Sequence, residues 1–389
     1  MFATAILGFS MCMFGTVGAL MCAEAGSRFG LSPEGWVSWA GNHKYFENRA
    51  QYDPGQDREL LARAVQLNPR AASAWIALGL AAERAARFSE AQYDFAQAER
   101  WDHQYLPAWS RANYSFRTEN HAQFWMSARH AAGLVYDDPI PLVELADRGS
   151  PDALTALREL GGRRAIARGY LDYLIGRNRW SDARDIALEL EHTSGRNETP
   201  AAYDIPRYLD LVDRLIEAGQ WTEAQEVWNG AGQWQAISSR RGALINGGFR
   251  TKPGGHGFDW RLTGYENVDW KWGLGEIELR LNGNQDVRVL LEQALAFSSA
   301  GCLRFESETN VHGLRWQLMA SKDSSQAIAA QLIEESSPLA PADSWQGIRV
   351  CFRKPRAANA KLRLVYRREL GIKAAGGEIR LRNLYWEET

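Results

Sequence analysis

A chain of 389 residues has room for two domains, each large enough to bury its own core. With 45% hydrophobic and 24% charged residues it is not a disordered chain, and a formal net charge of -2 excludes a global pull toward nucleic acid or anionic membrane. The outlying figure is 16 tryptophans, large flat side chains that serve either a core or a contact surface.

The chain opens with MFATAILGFSMCMFGTVGALMCA, which has no charged side chain before Glu24. As a helix rising about 1.5 Å per residue, it reaches across roughly 30 Å of hydrocarbon. This predicts a transmembrane anchor or signal peptide over residues 1–25, with Ala23 to Ala25 as a cleavage site. If uncleaved, residues 2–23 tie the chain to a membrane. No Lys or Arg precedes the apolar run, so cytoplasmic residence stands as the alternative. Cys12 and Cys22 lie in this segment, while Cys302 and Cys351 lie far downstream in strand-like runs, each in phase with charged neighbours. A disulfide between the latter two suits an oxidising compartment, but two unpaired thiols are the simpler reading. No C-x-x-C pair occurs and the histidines lack metal-ligand spacing, so neither a metal nor another cofactor is expected.

Residues 26–232 read as helix. In PRAASAWIALGLAAERAARFSEAQYDFAQAER, the residues Trp75, Leu78, Gly79, Ala91 and Phe95 follow the pattern W-x2-L-G … A-x3-F, and Trp109 follows Trp75 by 34 residues. RFSEAQ (Arg87–Gln92), RWSDAR (Arg179–Arg184) and QWTEAQ (Gln220–Gln225) each open a second helix, with Ser or Thr expected to cap it and Phe88, Trp180 or Trp221 to wedge the turn. The array resembles tetratricopeptide repeats from about residue 40 to 232, degenerate between Tyr136 and Gly161. That resemblance implies an α-solenoid whose concave surface holds a protein partner.

After a linker at 233–242 the rhythm changes to strict alternation, and residues 243–389 predict an antiparallel β-sandwich of eight strands. The runs are FDWRL, IELRLNG, VRVLLEQALAF, LRFES, LRWQL, WQGIRVCF, KLRLVY and EIRLRNLYW; SSQAIAAQLIEE fits a helix or a loop with a short strand. The fold class is therefore multidomain α + β: an N-terminal apolar helix, a tetratricopeptide-like solenoid and a C-terminal jelly roll. Asn246, Gly247 and Phe249 form an N-G-x-F opening, and Gly377, Ile379 and Leu381 match much of a G-x-I-x-h closing strand. In this the second half resembles galactose-binding-like carbohydrate-binding modules. No acidic loop of the kind that carries calcium in many members is present. The resemblance implies glycan binding, and the whole layout is similar to repeat proteins of bacterial surface-polysaccharide assembly or export.

A sugar ring offers an apolar face edged by hydroxyls, so its binder wants an aromatic plate beside Arg, Asp, Glu or Gln. YENVDWKWG places Tyr265, Trp270 and Trp272 in a turn-rich connection, where Trp270 and Trp272 share one face if extended. They form a stacking platform, or one plugs the end of the sandwich. Asp259, Arg261, Glu306, Arg315 and Gln317 alternate with apolar residues and are the polar candidates. Trp260, Trp316 and Trp345 are expected in the core, and Trp386 there or as an edge lid. RVCFRKPRAANAKLRLVYRR adds a basic patch suited to an acidic polysaccharide.

No G-x-S-x-G, P-loop or H-E-x-x-H motif occurs. Asp259, Glu276, Glu278 and Glu306 are the carboxylates from which a glycosidase pair would be drawn, but almost any sandwich offers as many. The expectation is a non-catalytic adaptor, anchored or exported to a bacterial periplasm or envelope, binding protein through its repeats and glycan through its sandwich. A pure protein-interaction scaffold is the alternative, and a glycan-acting enzyme a more distant one.

Overall fold

The computed structural model describes residues 43–52, 57–192, 204–231, 244–262, 268–273, 275–283, 286–296, 300–320, 332–353, 359–371 and 375–388. The apolar opening segment, the 233–242 linker and Tyr265 lie outside the described residues. Among the described residues no helix is long and apolar enough to cross a membrane. The chain divides into two compact units, Met1–Tyr170 and Leu171–Thr389.

Twelve helices are described: α1 His43–Tyr52, α2 Asp57–Leu67, α3 Ala72–Arg84, α4 Phe88–Trp101, α5 Tyr105–Arg117, α6 His121–Leu134, α7 Ile140–Arg148, α8 Ala153–Glu159, α9 Arg164–Gly176, α10 Trp180–His192, α11 Ile205–Glu217 and α12 Trp221–Ala231. One turn recurs between partners of a hairpin. Ala86, Glu119, Asn178 and Gly219 adopt positive φ of 57°, 56°, 57° and 81°, each two residues before the next helix begins. The following N–H then reaches back five residues: Arg87 to Ala82 O (2.9 Å), Asn120 to Ser115 O (2.9 Å), Arg179 to Leu174 O (3.0 Å) and Gln220 to Leu215 O (2.8 Å). This is the Schellman closure, which satisfies carbonyls left over at a helix end and reverses the chain in few residues.

The small residues of the repeat have a packing reason. A Cβ on Gly79 would sit 3.0 Å from the Phe95 ring, tighter than an ordinary contact, so the glycine eases the close approach of α3 and α4 there. Ala91 and Phe95 are fully buried beside it. The expected caps differ from the finding. α4 starts at Phe88, Arg87 is its N-cap, and no side chain caps it; Ser89 lies inside the first turn. The Schellman closure delivers the chain one residue early, before the serine. Phe88 is exposed rather than wedged, while Trp221 is buried as expected.

Among the described residues the β-rich part of the second unit has ten strands where eight were expected: β1 Arg261–Leu262, β2 Val268–Gly273, β3 Glu276–Gly283, β4 Val287–Ala296, β5 Gly301–Thr309, β6 Leu314–Ala320, β7 Leu332–Glu335, β8 Ala342–Phe352, β9 Asn359–Arg367 and β10 Ala375–Glu388. They form two antiparallel five-stranded sheets, sheet I in the order β1-β4-β9-β6-β7 and sheet II in the order β2-β3-β10-β5-β8. β2 replaces the turn expected around Trp270, and FDWRL contributes only its last two residues as strand. Alternation sends Trp260, Trp316, Leu362, Leu364, Ile379 and Leu381 into one core between the sheets.

The opening and closing motifs meet. Gly247 O accepts from Leu384 N at 2.8 Å, and a Cβ on Gly247 would fall 1.9 Å from Leu384 O. Gly247→Ala is expected to cost about 3 kcal/mol or more through this overlap. Gly248→Ala, whose nearest neighbour is Arg250 Cγ at 3.9 Å, is the neutral control, both read by chemical denaturation.

A second expectation concerns α4. Asp94 has its carboxyl pushed up to about 6, chiefly by burial and then by Glu90, against the pull of Arg58 and Arg87. The folded state therefore holds the proton more tightly than the unfolded chain, and stability falls as pH rises from about 4 to about 6. Asp94→Asn removes that slope. After allowance for solvent at this half-buried site, the variant is more stable than the parent by about 1 kcal/mol at pH 7, and equal to it near pH 3.5, in denaturant titrations.

Candidate functional site

Seven of the eight residues singled out in the sequence lie among the described residues; Arg261, Arg315 and Gln317 share the outer face of sheet I, and the other four lie elsewhere. Asp259 belongs to the loop that opens the sandwich, and Arg261 begins β1. Asp259 is buried, accepting from Gly254 N (2.7 Å), Trp260 N (2.8 Å) and Asn246 Nδ2 (3.4 Å). Burial raises its carboxyl above the usual carboxylate range, and those hydrogen bonds pull it part of the way back. Alternation had placed it outward; it turns in because residues 254–259 are a loop folded around its carboxylate.

Arg261 pairs with Asp213 of α11. The same carboxylate accepts from Gly257 N at 2.6 Å and lies 2.7 Å from His256 Nδ1. Phe258 sits beside Trp221 and Trp228, with ring centroids 5.9 and 6.0 Å away. Gly257, at φ +57°, leaves room for the Trp228 ring, which a Cβ would meet at 2.4 Å. The glycine-rich GGHGFD run is therefore a clasp between the last two helices and the first strand.

Trp270 and Trp272 do share a face of β2, with Lys271 opposite, and that face is the inner one. Both are half-buried against the sandwich core. Trp272 Nε1 donates to Phe249 O at 2.8 Å, and Lys252 Nζ lies 5.5 Å from the Trp270 ring centroid. The outward stacking platform does not form. As an edge strand, β2 lays its aromatics over the open end of the core.

Arg315 and Gln317 lie on the outer face of sheet I, opposite Val365 and Arg363. Cross-strand neighbours complete a charged carpet. Lys361 (3.2 Å) and Arg363 hold Glu292, while Gln317 Nε2 (2.7 Å), Arg315 (3.6 Å) and Arg367 (3.2 Å) gather on Glu335. Burial alone would push the Glu292 carboxyl up, but Lys361 and Arg363 outweigh it and hold it below its ordinary value. The face is recessed. Val365 points outward yet is 1% exposed, and Gln317 is 9% exposed. Four cations of β6 and β9, Arg315, Lys361, Arg363 and Arg367, stand against Glu292 and Glu335, while Arg261 of β1, opposite Glu292, is held by Asp213, and no aromatic ring faces outward among the described residues of these strands.

Glu306 lies on the opposite side of the sandwich, on the outer face of sheet II. It accepts from Arg382 (2.8 and 2.6 Å) and from Asn383 Nδ2 (2.9 Å). Those hydrogen bonds, Asn383 first, hold its carboxyl below the usual range. Trp345, expected in the core, is on this face instead, with Arg382 Cζ 4.0 Å and Arg380 Cζ 5.2 Å from its ring centroid. The signal was present in the phase: Trp345 keeps step with Arg349 and Cys351, not with Ile348, Val350 and Phe352. Trp260 and Trp316 are fully buried as expected, and Trp386 stacks on Phe352 at the edge of the core.

Cys302 and Cys351 are joined in a disulfide, not free thiols; they are directly opposed in β5 and β8, with Cα atoms 3.9 Å apart. The basic patch read from the sequence is split: Arg349 belongs to sheet II, Lys361, Arg363 and Arg367 to sheet I, and Lys354 and Arg356 lie outside the described residues. No group of three or more His, Cys, Asp or Glu able to hold a metal occurs among the described residues.

No protein-family model and no curated relative matches the chain. Among solved structures, the chain is similar to one described as "CBM4 structure and function", at 12% identity over 38% of this chain and 99% of that one, with a TM-score of 0.30. A family 29 carbohydrate-binding module matches at 13% identity over 31% and 72%, with a TM-score of 0.20. TmCBM61, solved with beta-1,4-galactotriose, matches at 16% over 39% and 100%, with a TM-score of 0.26. All three are carbohydrate-binding modules, and at these scores the likeness carries no functional assignment.

The clasp makes a prediction. Asp213→Ala strands the Gly257 N–H and the Arg261 guanidinium, and is expected to lower stability by about 2 kcal/mol in denaturant unfolding. Arg261→Ala costs less, because Asp213 keeps Gly257 and His256. Equal stability of Asp213→Ala and the parent would show that these groups do not brace the fold.

Proposed function

We propose that this chain is a non-catalytic adaptor, exported or membrane-anchored, whose sandwich holds an anionic glycan on the outer face of sheet I. The observation that carries the reading is the recessed face itself, where Arg315, Lys361, Arg363 and Arg367 outnumber Glu292 and Glu335. Each carboxylate fixes its cations in place, so a uronate or sulfate meets guanidinium groups already ordered, with little rotamer entropy left to lose. The absence of an outward ring among the described residues of this face favours charge recognition over stacking.

The carboxylates considered for catalysis support a binding role. Glu276 is paired with Arg380, Glu278 with Arg280 and Glu306 with Arg382, and Asp259 is folded into its loop. The Cys302–Cys351 disulfide suits an oxidising compartment, which supports export. The helical hairpins offer a surface for a protein partner, with a hollow of about 730 Å³ lined by Glu47, Asp57, Leu61, Leu80, Glu83 and Arg84.

The test is affinity electrophoresis of the full chain through polygalacturonate. Retention is expected, falling with added salt. Arg315→Ala and Arg367→Ala are each expected to weaken it about tenfold, close to 1.4 kcal/mol, without loss of circular-dichroism signal. In the same preparation, taken from an envelope fraction, Cys302 and Cys351 should resist alkylation until reduced. If no polysaccharide, charged or neutral, retains the chain, the sandwich is an extension of a protein-interaction scaffold.

A further inference from the structure

The outer face of sheet II carries a second arrangement built from different residues. Along edge strand β8, Trp345, Gly347, Arg349 and Cys351 point outward, and Gly347 stands opposite Glu306. A Cβ placed on Gly347 would meet nothing within 4 Å, so the strand has a gap there, between an indole and a guanidinium. The Glu306 carboxylate lies across from this notch, fixed by Arg382 and by Asn383. On the far side Tyr385, half-exposed, is aligned with Arg304 and through it with Arg349.

The backbone bends to make this. β10 breaks register between Arg382 and Tyr385, and Asn383 takes φ +54°, a left-handed conformation in which its amide reaches Glu306. Charge is balanced. Arg382 answers Glu306, Arg304 and Arg349 share Glu387, and Arg380 is divided between Glu276 and Glu308. The Arg382 and Arg380 guanidinium groups lie over the Trp345 ring and fix its place on the face.

We infer that this notch is a second carbohydrate subsite, taking a neutral sugar ring. The ring stacks on Trp345 over Gly347, and its hydroxyls meet the Glu306 carboxylate, the Asn383 amide and the Arg349 guanidinium, acceptors and donors at fixed positions. The absence of surplus charge separates it from the cationic face of sheet I. The sandwich then grips two glycan segments of opposite character on its two sides. The inference rests on the reading of the sandwich as a glycan binder, but on none of the residues that carry that reading.

The experiment uses the full chain and two sets of probes, polygalacturonate and a panel of neutral polysaccharides (β-glucan, galactan, mannan and xylan), in affinity electrophoresis. Gly347→Leu fills the notch at a position with no steric neighbour, and Trp345→Ala removes the plate. Each is expected to reduce retention by a neutral polysaccharide at least tenfold while leaving polygalacturonate retention within twofold. Arg315→Ala is expected to do the reverse. Neutral retention that survives both Gly347→Leu and Trp345→Ala, or that falls with Arg315→Ala instead, overturns the second subsite. So does retention by polygalacturonate with none by any neutral probe, which leaves the sheet I reading intact. Retention by neither set removes the glycan reading as a whole.

Discussion

Strand β10 is the member on which the sandwich depends. It lies between β3 and β5 at the centre of sheet II, and its one irregularity, at Asn383 and Leu384, serves three purposes. Leu384 turns into the core and its N–H ties down Gly247, closing the first loop of the sandwich onto its last strand. Asn383 turns outward to Glu306. A straight strand would turn Asn383 inward and Leu384 outward after the outward Arg382; the bulge lets Arg382 and Asn383 both face Glu306 and returns Leu384 to the core. The bulge couples the closure of the fold to the shape of its outer surface.

The two outer faces are chemically unlike, though both are rich in arginine. On sheet I the carboxylates are outnumbered and partly buried, and Val365 lies buried between Arg315 and Val289 on the neighbouring strands. On sheet II each guanidinium has its carboxylate, and aromatic rings emerge at Trp345 and Tyr385. Exposed ion pairs of this kind add little to stability, so their value lies in holding side chains in place. A surface of ordered charges with a cationic excess and a surface of balanced charges with a flat ring select different ligands.

Within the second unit, the helices and the sandwich are joined through Asp213. A single carboxylate gathers the Gly257 amide, His256 and Arg261, and Phe258 packs beside two tryptophans of α12. Gly257 is required twice, for its positive φ and for the space its missing side chain leaves to Trp228. The hairpins themselves reuse one turn, and only Gly219 occupies its left-handed position without steric cost; Ala86, Glu119 and Asn178 are carried there by the packing of the helices they join.

The change from helical to two-residue periodicity was legible in the sequence, because burial on one side of a helix or a strand imposes its period on the residues directly. So were the small residues at the repeat positions of the hairpin, the N-G-x-F opening and the buried Trp260 and Trp316, each a local pattern with a local cause. The outward position of Trp345 was legible too, in its phase with Arg349 and Cys351. What only the tertiary structure decided is which polar residues meet. Asp259 and Arg261 alternate like surface residues but are claimed by a loop and by a helix nearly fifty positions upstream. Glu306 and Arg315 look alike in sequence and end on opposite sides of the sandwich, since which sheet a strand joins depends on long-range pairing that its own pattern does not encode. Cys302 and Cys351 show the same limit: their phase put both on one face, and only the register of β5 against β8 brought them together.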